Sequence, residues 1–539
     1  MYSAKKNYLA ISQMNFMGQD TPSTWSGLIV SKHIGSISEV KGDKVSFFLN
    51  KKSTLSFGQI IRINSDTNSF YARVVNAQSK STLDTGEQLR EAEGRENFGP
   101  YSCYKNIEAI LFLEKRSNKI RSPTFNPNYM DRVYRMSVED LKVLRLAGEL
   151  RMGNLRSGEH TLGNVGINID AMPRMMGIFG MTGSGKTNTE LMINAQLIDQ
   201  SPRAAGLIFD FAGQLLTGKE IGGKGLRNHP LFFSKVRFYN TKEEKMRIGL
   251  QTLLPWKLRT LFPDIGYPQS RLAKELHRRL GKGWIEEARE TYIVKGHKGV
   301  ADIAGYSNKA VIEALMSKLL HLNPTLFPPS NYSFVEDVIV NISQGITCLV
   351  DISGISSEEQ RRVVCLTATG VANHYKKMWE TKYEDWKQLP TLLITLEEAH
   401  EFLDPNKPKT IFSNIALTYR KYRVGLNAVT PRPSRINPDV FAELWTKVIM
   451  KTELKADRGY LTKNTPYLEY SDTEVKMLDI GEALLISEPK IRFAVPIKVT
   501  HYPKYLESKR RIDYNLPASK PLDEMDGNLK RILEAGEKF

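Results

Sequence analysis

The chain has 539 residues, 41% apolar and 25% charged, a soluble globular make-up that is too long for one ordinary core, so two or three structural units are expected. No run approaches the roughly 18 apolar residues of a membrane-spanning helix, "MYSAKKNYLAISQ" carries no signal core, and Cys103, Cys348 and Cys365 form no CxxC pair, so the expectation is a cytoplasmic protein without a disulfide framework or cysteine metal site. Lys and Arg number 76 against 59 Asp and Glu, a net charge of +17, which fits a polyanionic partner and fits a basic solubility surface equally well.

In chain order, residues 1–120 read as all-β. Short β-branched or aromatic segments such as "DKVSFFLN", "GQIIRIN", "SFYARVVNAQ" and "NIEAILFLE" alternate with turn residues, as in a small barrel or sandwich. Residues 121–160 read as a linker, "RSPTFNPNYM", followed by a connecting helix, "SVEDLKVLRLAGELR". From 161 the rhythm becomes strand–helix–strand. "MMGIFG", "AAGLIFDF", "ITCLVDIS", "TLLITLEEA" and "LNAVTPRP" are short apolar runs suited to parallel strands covered on both faces. Amphipathic segments such as "NTELMINAQLIDQ" lie between them. This predicts an α/β core over 161–254 and 331–500, interrupted by a basic helical insertion over 255–330. A polar extension, 501–539, is expected to lie over a neighbouring surface.

"GMTGSGKT", Gly180 to Thr187, fits GxxxxGK[ST] between a strand and a helix. In such a loop the backbone N–H groups of Gly180, Met181, Thr182, Gly183, Ser184, Gly185 and Asn188 are placed to curl around phosphates. The helix N-terminus adds partial positive charge, Lys186 faces the β- and γ-phosphates of ATP, and the Thr187 hydroxyl faces Mg²⁺. The bland alternative is a Gly-rich turn with an incidental lysine. "LLITLEEAHEF" ends a strand in Glu397 and Glu398, at the sheet edge where α/β folds hold ligands. Glu398 is expected as the base that polarises water and Glu397 as a support for the metal, against two solvated acids opening a helix. His400 either reaches this site or packs structurally. Asp210 ends another strand and is expected to support the metal or its water, whereas Asp351 is expected to cap. Arg420, Lys421, Arg423, Arg432 and Arg435 crowd the last strand. None is obviously placed at the γ-phosphate of its own chain, and motors of this kind borrow such a charge from the next subunit. Arginines on a solvated face are the alternative.

Taken in order, "GMTGSGKT", "DFAGQ", "EEAH", "RKYRVGL" and "TPRPS" make the chain resemble the HerA family of hexameric DNA translocases, in the FtsK-like branch of P-loop ATPases. "DIGEALLIS" and "FAVPIKV" look like that family's closing strands, so the likeness runs from near residue 25 to about 500. It implies a RecA-like P-loop core and an N-terminal HAS-barrel-like domain. It also implies a homo-hexamer binding ATP and Mg²⁺ at subunit interfaces, with duplex DNA in the pore. Arg420 falls at the position of the trans-acting arginine finger and Arg432 at that of a sensor arginine. Two positions depart from the pattern, Gln214 where Glu is common and Pro431 where Gln is common, and Arg423 stands where the family usually has glycine. Family members pair with a nuclease in DNA end processing or with an effector enzyme in antiphage defence, and the barrel is the expected docking module. The expected activity is an ATP-dependent motor. The alternative is an ATP-gated ring scaffold that activates its partner without processive movement.

Overall fold

Two sheets, one closed and one open, organise the residues that the computed structural model describes, namely 32–66, 68–93, 103–117, 119–158, 160–243 and 245–513. Residues 1–31 of the expected β-rich region and most of the expected 501–539 extension lie outside them. The chain divides into two compact units that part at Leu144 and Arg145, with the short stretch Leu55–Gln59 grouped with the second.

The first unit holds β1 (His33–Lys41), β2 (Lys44–Leu49), β3 (Ile60–Asn64), β4 (Asn68–Ser81), β5 (Cys103–Arg116), β6 (Lys119–Arg121) and β7 (Arg132–Arg135). Their order is β2-β1-β7-β3-β4-β5-β6, and an additional β2–β5 pairing closes six strands into an antiparallel barrel with β6 outside it. Alternate apolar side chains, among them Val45, Phe47, Ile61, Ile63, Phe70 and Ala72, fill the interior. The expected boundary at 120 falls short. β7 inserts between β1 and β3, with Tyr134 opposite His33 and Arg135 opposite Ile61, so the stretch expected as a linker carries a barrel strand. Asp140 then ties the following helix, Val138–Leu144, to the barrel: it accepts from Ser137 N at 2.7 Å, Tyr71 OH at 2.8 Å and Arg62 Nη1 at 3.0 Å.

The second unit is built on an eleven-stranded sheet. Its strands are β8 (Leu150–Ser157), β9 (His160–Ile167), β10 (Met176–Phe179), β11 (Ala204–Asp210), β12 (Val236–Tyr239), β13 (Thr347–Asp351), β14 (Thr391–Leu396), β15 (Val424–Thr430), β16 (Thr446–Met450), β17 (Glu482–Ser487) and β18 (Ile491–Lys498). The order β12-β13-β11-β14-β15-β10-β16-β17-β18-β8-β9 is parallel from β12 to β16 and antiparallel from β16 onward. The five apolar runs seen in the sequence are β10, β11, β13, β14 and β15. All seven residues of β11 and of β15 are buried, as a strand covered on both faces requires. The connecting helix was expected to continue to residue 151; instead it stops at Leu144 and the chain returns as β8. A Cβ at Gly148 would stand 2.4 Å from the Gly166 carbonyl carbon, so this close backbone approach replaces further helical turns.

Helix α1 (Lys186–Asp199) is buried along almost its whole length after the first turn. The insertion supplies α2 (Tyr267–Leu280), α3 (Trp284–Ala304) and α4 (Lys309–Leu320), the last capped by Asn308, whose Oδ1 accepts from Val311 N at 3.2 Å. Leu272, Trp284 and Ile312 join Ala205 and Phe209 of β11 in one apolar cluster. The insertion is therefore part of the core of this unit. α5 (Ser357–Thr381) opens with a Ser356–Glu359 capping box, and α6 (Tyr502–Asp513) packs on α1.

Trp284 is fully buried and donates from Nε1 to Leu253 O at 3.0 Å. Trp284→Ala is expected to lower the unfolding free energy of this unit by about 3–5 kcal/mol, measured by denaturant titration. A change below about 1 kcal/mol would separate the insertion from the core.

Candidate active site

The parallel part of the sheet brings every expected phosphate-site residue except Arg420 to one edge. β10 ends in Phe179 and runs into the Gly-rich loop. Gly183 and Gly185 adopt φ of +82° and +107°, conformations that a side chain would strain. Gly185 is also the N-terminal boundary of α1, which has no side-chain cap, so the first-turn N–H groups face the cleft with no protein acceptor in place. The loop is fixed from below, with Met181 N donating to Lys451 O at 2.8 Å and Gly481 N to Ser184 O at 2.9 Å. Lys186 Nζ donates to Met181 O at 3.0 Å. The Asn188 side chain turns away to the C-terminal segment, donating to Thr500 O at 3.0 Å and accepting from Tyr502 N at 2.8 Å. This leaves only its backbone N–H for an anion.

One strand, β15, separates β10 from β14, and the two acids after β14 face the loop across it. Lys186, Thr187, Glu397 and Glu398 line one cleft of about 690 Å³. The acids differ in setting. Glu398 has a half-exposed side chain and a φ of +47°, a strained conformation of the kind found at functional sites. His400 Nδ1 lies 3.4 Å from Glu398 Oε2 and 2.9 Å from Thr430 Oγ1, and burial holds its pKa below the usual histidine value. His400 thus both packs and reaches the site. Glu397 turns its carboxyl inward, accepting from Phe211 N at 3.0 Å. Desolvation and the charge of Asp210 push its pKa up to about 8.

Asp210 corrects an expectation. It is fully buried, Oδ1 accepts from Gln214 N at 3.0 Å and Oδ2 from Leu215 N at 2.8 Å. Both oxygens hold the turn after β11, so of the two expected roles direct ligation of the metal does not fit, and support of the metal's water is the one left. Among the described residues no group of three or more His, Cys, Asp or Glu could hold a metal ion. The donor set that does fit Mg²⁺ is the Thr187 hydroxyl, phosphate oxygens and water, with Glu397 acting through water, since Mg²⁺ retains much of its hydration. Asp351, expected to cap a helix, instead holds the turn after β13, accepting from Ser353 N and Oγ at 3.0 and 2.7 Å, while Ser356 caps α5.

The sequence reading missed Glu190. It lies one helical turn beyond Lys186, is 1% exposed, and its two oxygens meet no donor of good geometry, facing instead the Glu397 carboxyl, with which a proton can be shared. Burial and the neighbouring Glu397 and Asp210 hold its pKa well above the usual carboxylate range. The i, i+4 spacing from Lys186 was the available signal. Burial also lowers the pKa of Lys186, while Glu398, Glu190 and Glu397 oppose that shift.

Residues 150–369 match the family described as "Helicase HerA, central domain", and curated relatives extend the match. The DNA double-strand break repair helicase HerA of Saccharolobus solfataricus is 24% identical over 65% of this chain and 68% of its own length. Its namesake from Sulfolobus acidocaldarius is 24% identical over 70% and 74%. The central region of this chain, residues 150–369, belongs to the HerA central-domain family. The chain is accordingly an ATPase of helicase type. A probable helicase of Methanocaldococcus jannaschii, 23% identical, aligns over 87% of this chain and 90% of its own length. Among solved structures, VirB4 of Thermoanaerobacter pseudethanolicus is similar with a TM-score of 0.43 and 15% identity, covering 66% of this chain and 98% of that one.

Arg423, at the position where HerA proteins usually carry glycine, has a φ of +66°. The backbone there suits glycine. Here the guanidinium holds the turn instead, donating to Lys387 O at 2.9 Å and lying over the Trp386 ring. Arg432 follows β15 at the phosphate edge, half-exposed, 3.8 Å from Asp457 Oδ2. Arg420 precedes β15, at the opposite edge, exposed and stacked on Trp445, so it does not face its own chain's cleft. Gln214 Nε2 donates to Glu220 Oε1 at 2.7 Å beside the cleft, and Pro431 lines it.

Because Glu190 is a buried acid set against another carboxyl, Glu397, Glu190→Met is expected to raise the stability of the nucleotide-free protein by about 1–3 kcal/mol. The readout is thermal unfolding without ligand, and a lower midpoint would mean that the carboxyl is paired.

Proposed function

We propose that this ATPase with a HerA central domain binds ATP with Mg²⁺ in the cleft between α1 and the ends of β14 and β15 and uses hydrolysis to drive movement on duplex DNA as a homo-hexamer. The observation that carries the reading is the convergence of Lys186 and the strained Glu398 on one cleft across a single strand. In this reading the N–H groups of the loop from Gly180 to Asn188 cradle the phosphates. Lys186 moves from its carbonyl partner to the β- and γ-oxygens. Thr187 holds Mg²⁺, which when bound neutralises phosphate charge. Glu398, steadied by His400, orients and deprotonates the attacking water, and Glu397 orients the metal's water. Arg432 senses the γ-phosphate from the same chain. Arg420, pointing away from its own cleft, serves the cleft of the next subunit.

Two of the relatives named above carry DNA repair in their names, and the net charge of +17 suits a backbone-gripping, sequence-indifferent contact with duplex DNA. The barrel is the docking module for a partner enzyme, a nuclease in DNA end processing or an effector in antiphage defence. Among the described residues no helix is long and apolar enough to cross a membrane, which agrees with a cytoplasmic site of action.

Steady-state ATP hydrolysis with and without linear duplex DNA, across a salt series, tests the motor. DNA is expected to stimulate turnover and the stimulation to fade with rising salt. Glu398→Gln is expected to retain ATP binding while hydrolysis falls by at least about 100-fold. Bound ATP with negligible turnover under all conditions would leave the ATP-gated scaffold in its place. The role of Arg420 has its own test. Arg420→Ala and Lys186→Ala are each expected to be inactive alone and to regain partial activity when co-assembled, since each supplies what the other lacks. Mixed assemblies as dead as the single variants would return Arg420 to a structural role.

A further inference from the structure

Resting on the nucleotide-site reading, we propose that the cleft holds the nucleoside on an apolar shelf that does not distinguish adenine from guanine, making the protein a purine nucleoside triphosphatase without ATP selectivity. With the terminal phosphate at Glu398 and the triphosphate lying along the loop and the first turn of α1, the nucleoside must leave past Asn188. The cleft continues there onto Ile480, Gly481, Lys498, Val499 and His501. This shelf is locked to the phosphate loop. Gly481 N donates to Ser184 O at 2.9 Å, and a Cβ at Gly185 would stand 3.2 Å from Gly481 N. Base position and phosphate position are therefore set by one rigid piece of backbone.

The shelf offers surface more than directed polar groups. Ile480 is 67% exposed, a large apolar face open to the cleft with nothing of this chain covering it. The polar groups around it are used internally. Lys498 Nζ donates to Ile480 O at 2.7 Å, Val499 N donates to Gly481 O at 2.8 Å, and Thr500 O accepts from Asn188 at 3.0 Å. A base edge is read only by donors and acceptors with fixed direction. Lys498 keeps two further N–H donors, which either purine can meet at N7, and the other side chain able to meet that edge is His501, which is exposed and whose ring has no partner among the described residues. A neutral imidazole donates or accepts at a given ring nitrogen according to its tautomer. It can therefore accept from the amino group of adenine or donate to the carbonyl of guanine. Stacking on an aliphatic face depends on ring area, so purines gain more from the shelf than pyrimidines do.

The test is equilibrium binding to the full-length Glu398→Gln protein with Mg²⁺, by displacement of a fluorescent ATP derivative with ATP, GTP, CTP or inorganic tripolyphosphate. ATP and GTP are expected to agree in Kd within about threefold, with CTP weaker. Ile480→Ser, at an exposed position where folding is not at stake, is expected to weaken ATP and GTP alike by about fivefold to tenfold and to leave tripolyphosphate unchanged. A preference for ATP over GTP beyond about twentyfold, or nucleotide affinities that ignore Ile480→Ser, would overturn the shelf while leaving the nucleotide site intact. Failure of the derivative, the nucleotides and tripolyphosphate alike to bind would instead overturn the site on which the inference rests.

Discussion

The parallel pairing of β10 with β15 and of β15 with β14 is the constraint on which the rest of this structure depends. Ile178 stands beside Val429, and Leu396 beside Ala428, so the phosphate loop and the two acids leave the sheet at nearly the same height. A slip of one residue in either pairing would move a strand by about 3.3 Å and turn its alternate side chains to the other face. The strands resist such a slip because they are buried on both faces. All four residues of β10 and all six of β14 are covered. The unusual length of the apolar core, including the helical insertion, thus has a functional consequence: it holds the edge geometry to the tolerance that positioning chemistry needs.

That edge concentrates charge at high cost. Glu190, Glu397 and Asp210 sit together beside one lysine, and burial raises the pKa of each acid, reinforced by neighbouring acids for Glu190 and Glu397 and by Asp351 for Asp210. Only Asp210 has two backbone N–H donors, and it is the acid with a plainly structural task. Glu397 has one such donor and Glu190 has no good one. The nucleotide-free site is therefore held short of electrostatic balance. A magnesium-bound triphosphate would give Lys186 its anionic partner and place positive charge near Glu397, relieving both sides of the imbalance. Ligand binding and local stability are coupled by this arrangement, because the groups that destabilise the empty site are those that the ligand addresses.

Much of the ATPase unit was legible in the sequence because a parallel strand covered on both faces is a continuous apolar run. "AAGLIFD", "TLLITL" and "VGLNAVT" have no other obvious reading. The loop and the acid pair were legible because their spacing is chemical rather than statistical. What escaped depended on contacts remote in sequence. "KVLRLAGELR" has helical periodicity, yet its end becomes β8, which forms a hairpin with β9 and joins the sheet through β18, more than 300 residues away. β7, four residues long, looks like part of a linker until β1 and β3 close around it. Asp210 looked like a metal ligand because its position at a strand end is visible, whereas the two N–H groups that occupy it belong to a turn whose shape is not. Glu190 was hidden for the opposite reason: an acid on an amphipathic helix reads as solvent-facing until the helix is seen to be covered all round.

The contrast between Arg420 and Arg432 extends the same reasoning beyond one chain. Both flank β15, seven residues long, and so they stand about 20 Å apart at opposite edges of the sheet. Arg432 is beside the cleft but leans toward Asp457, while Arg420 is stacked on Trp445 with its guanidinium exposed. A strand cannot deliver both of its ends to the same phosphate. If a second cation is needed against the charge that develops at the γ-phosphate, geometry leaves this chain two ways to supply it. Arg432 can exchange Asp457 for phosphate, or Arg420 can be offered to a different copy. The first ties hydrolysis to the turn after β15, where Pro431 stiffens the backbone. The second ties it to assembly. In the proposed homo-hexamer both ends of β15 would be used at once, each subunit reading its own nucleotide at one end and completing its neighbour's at the other, so that the strand between them would couple adjacent sites.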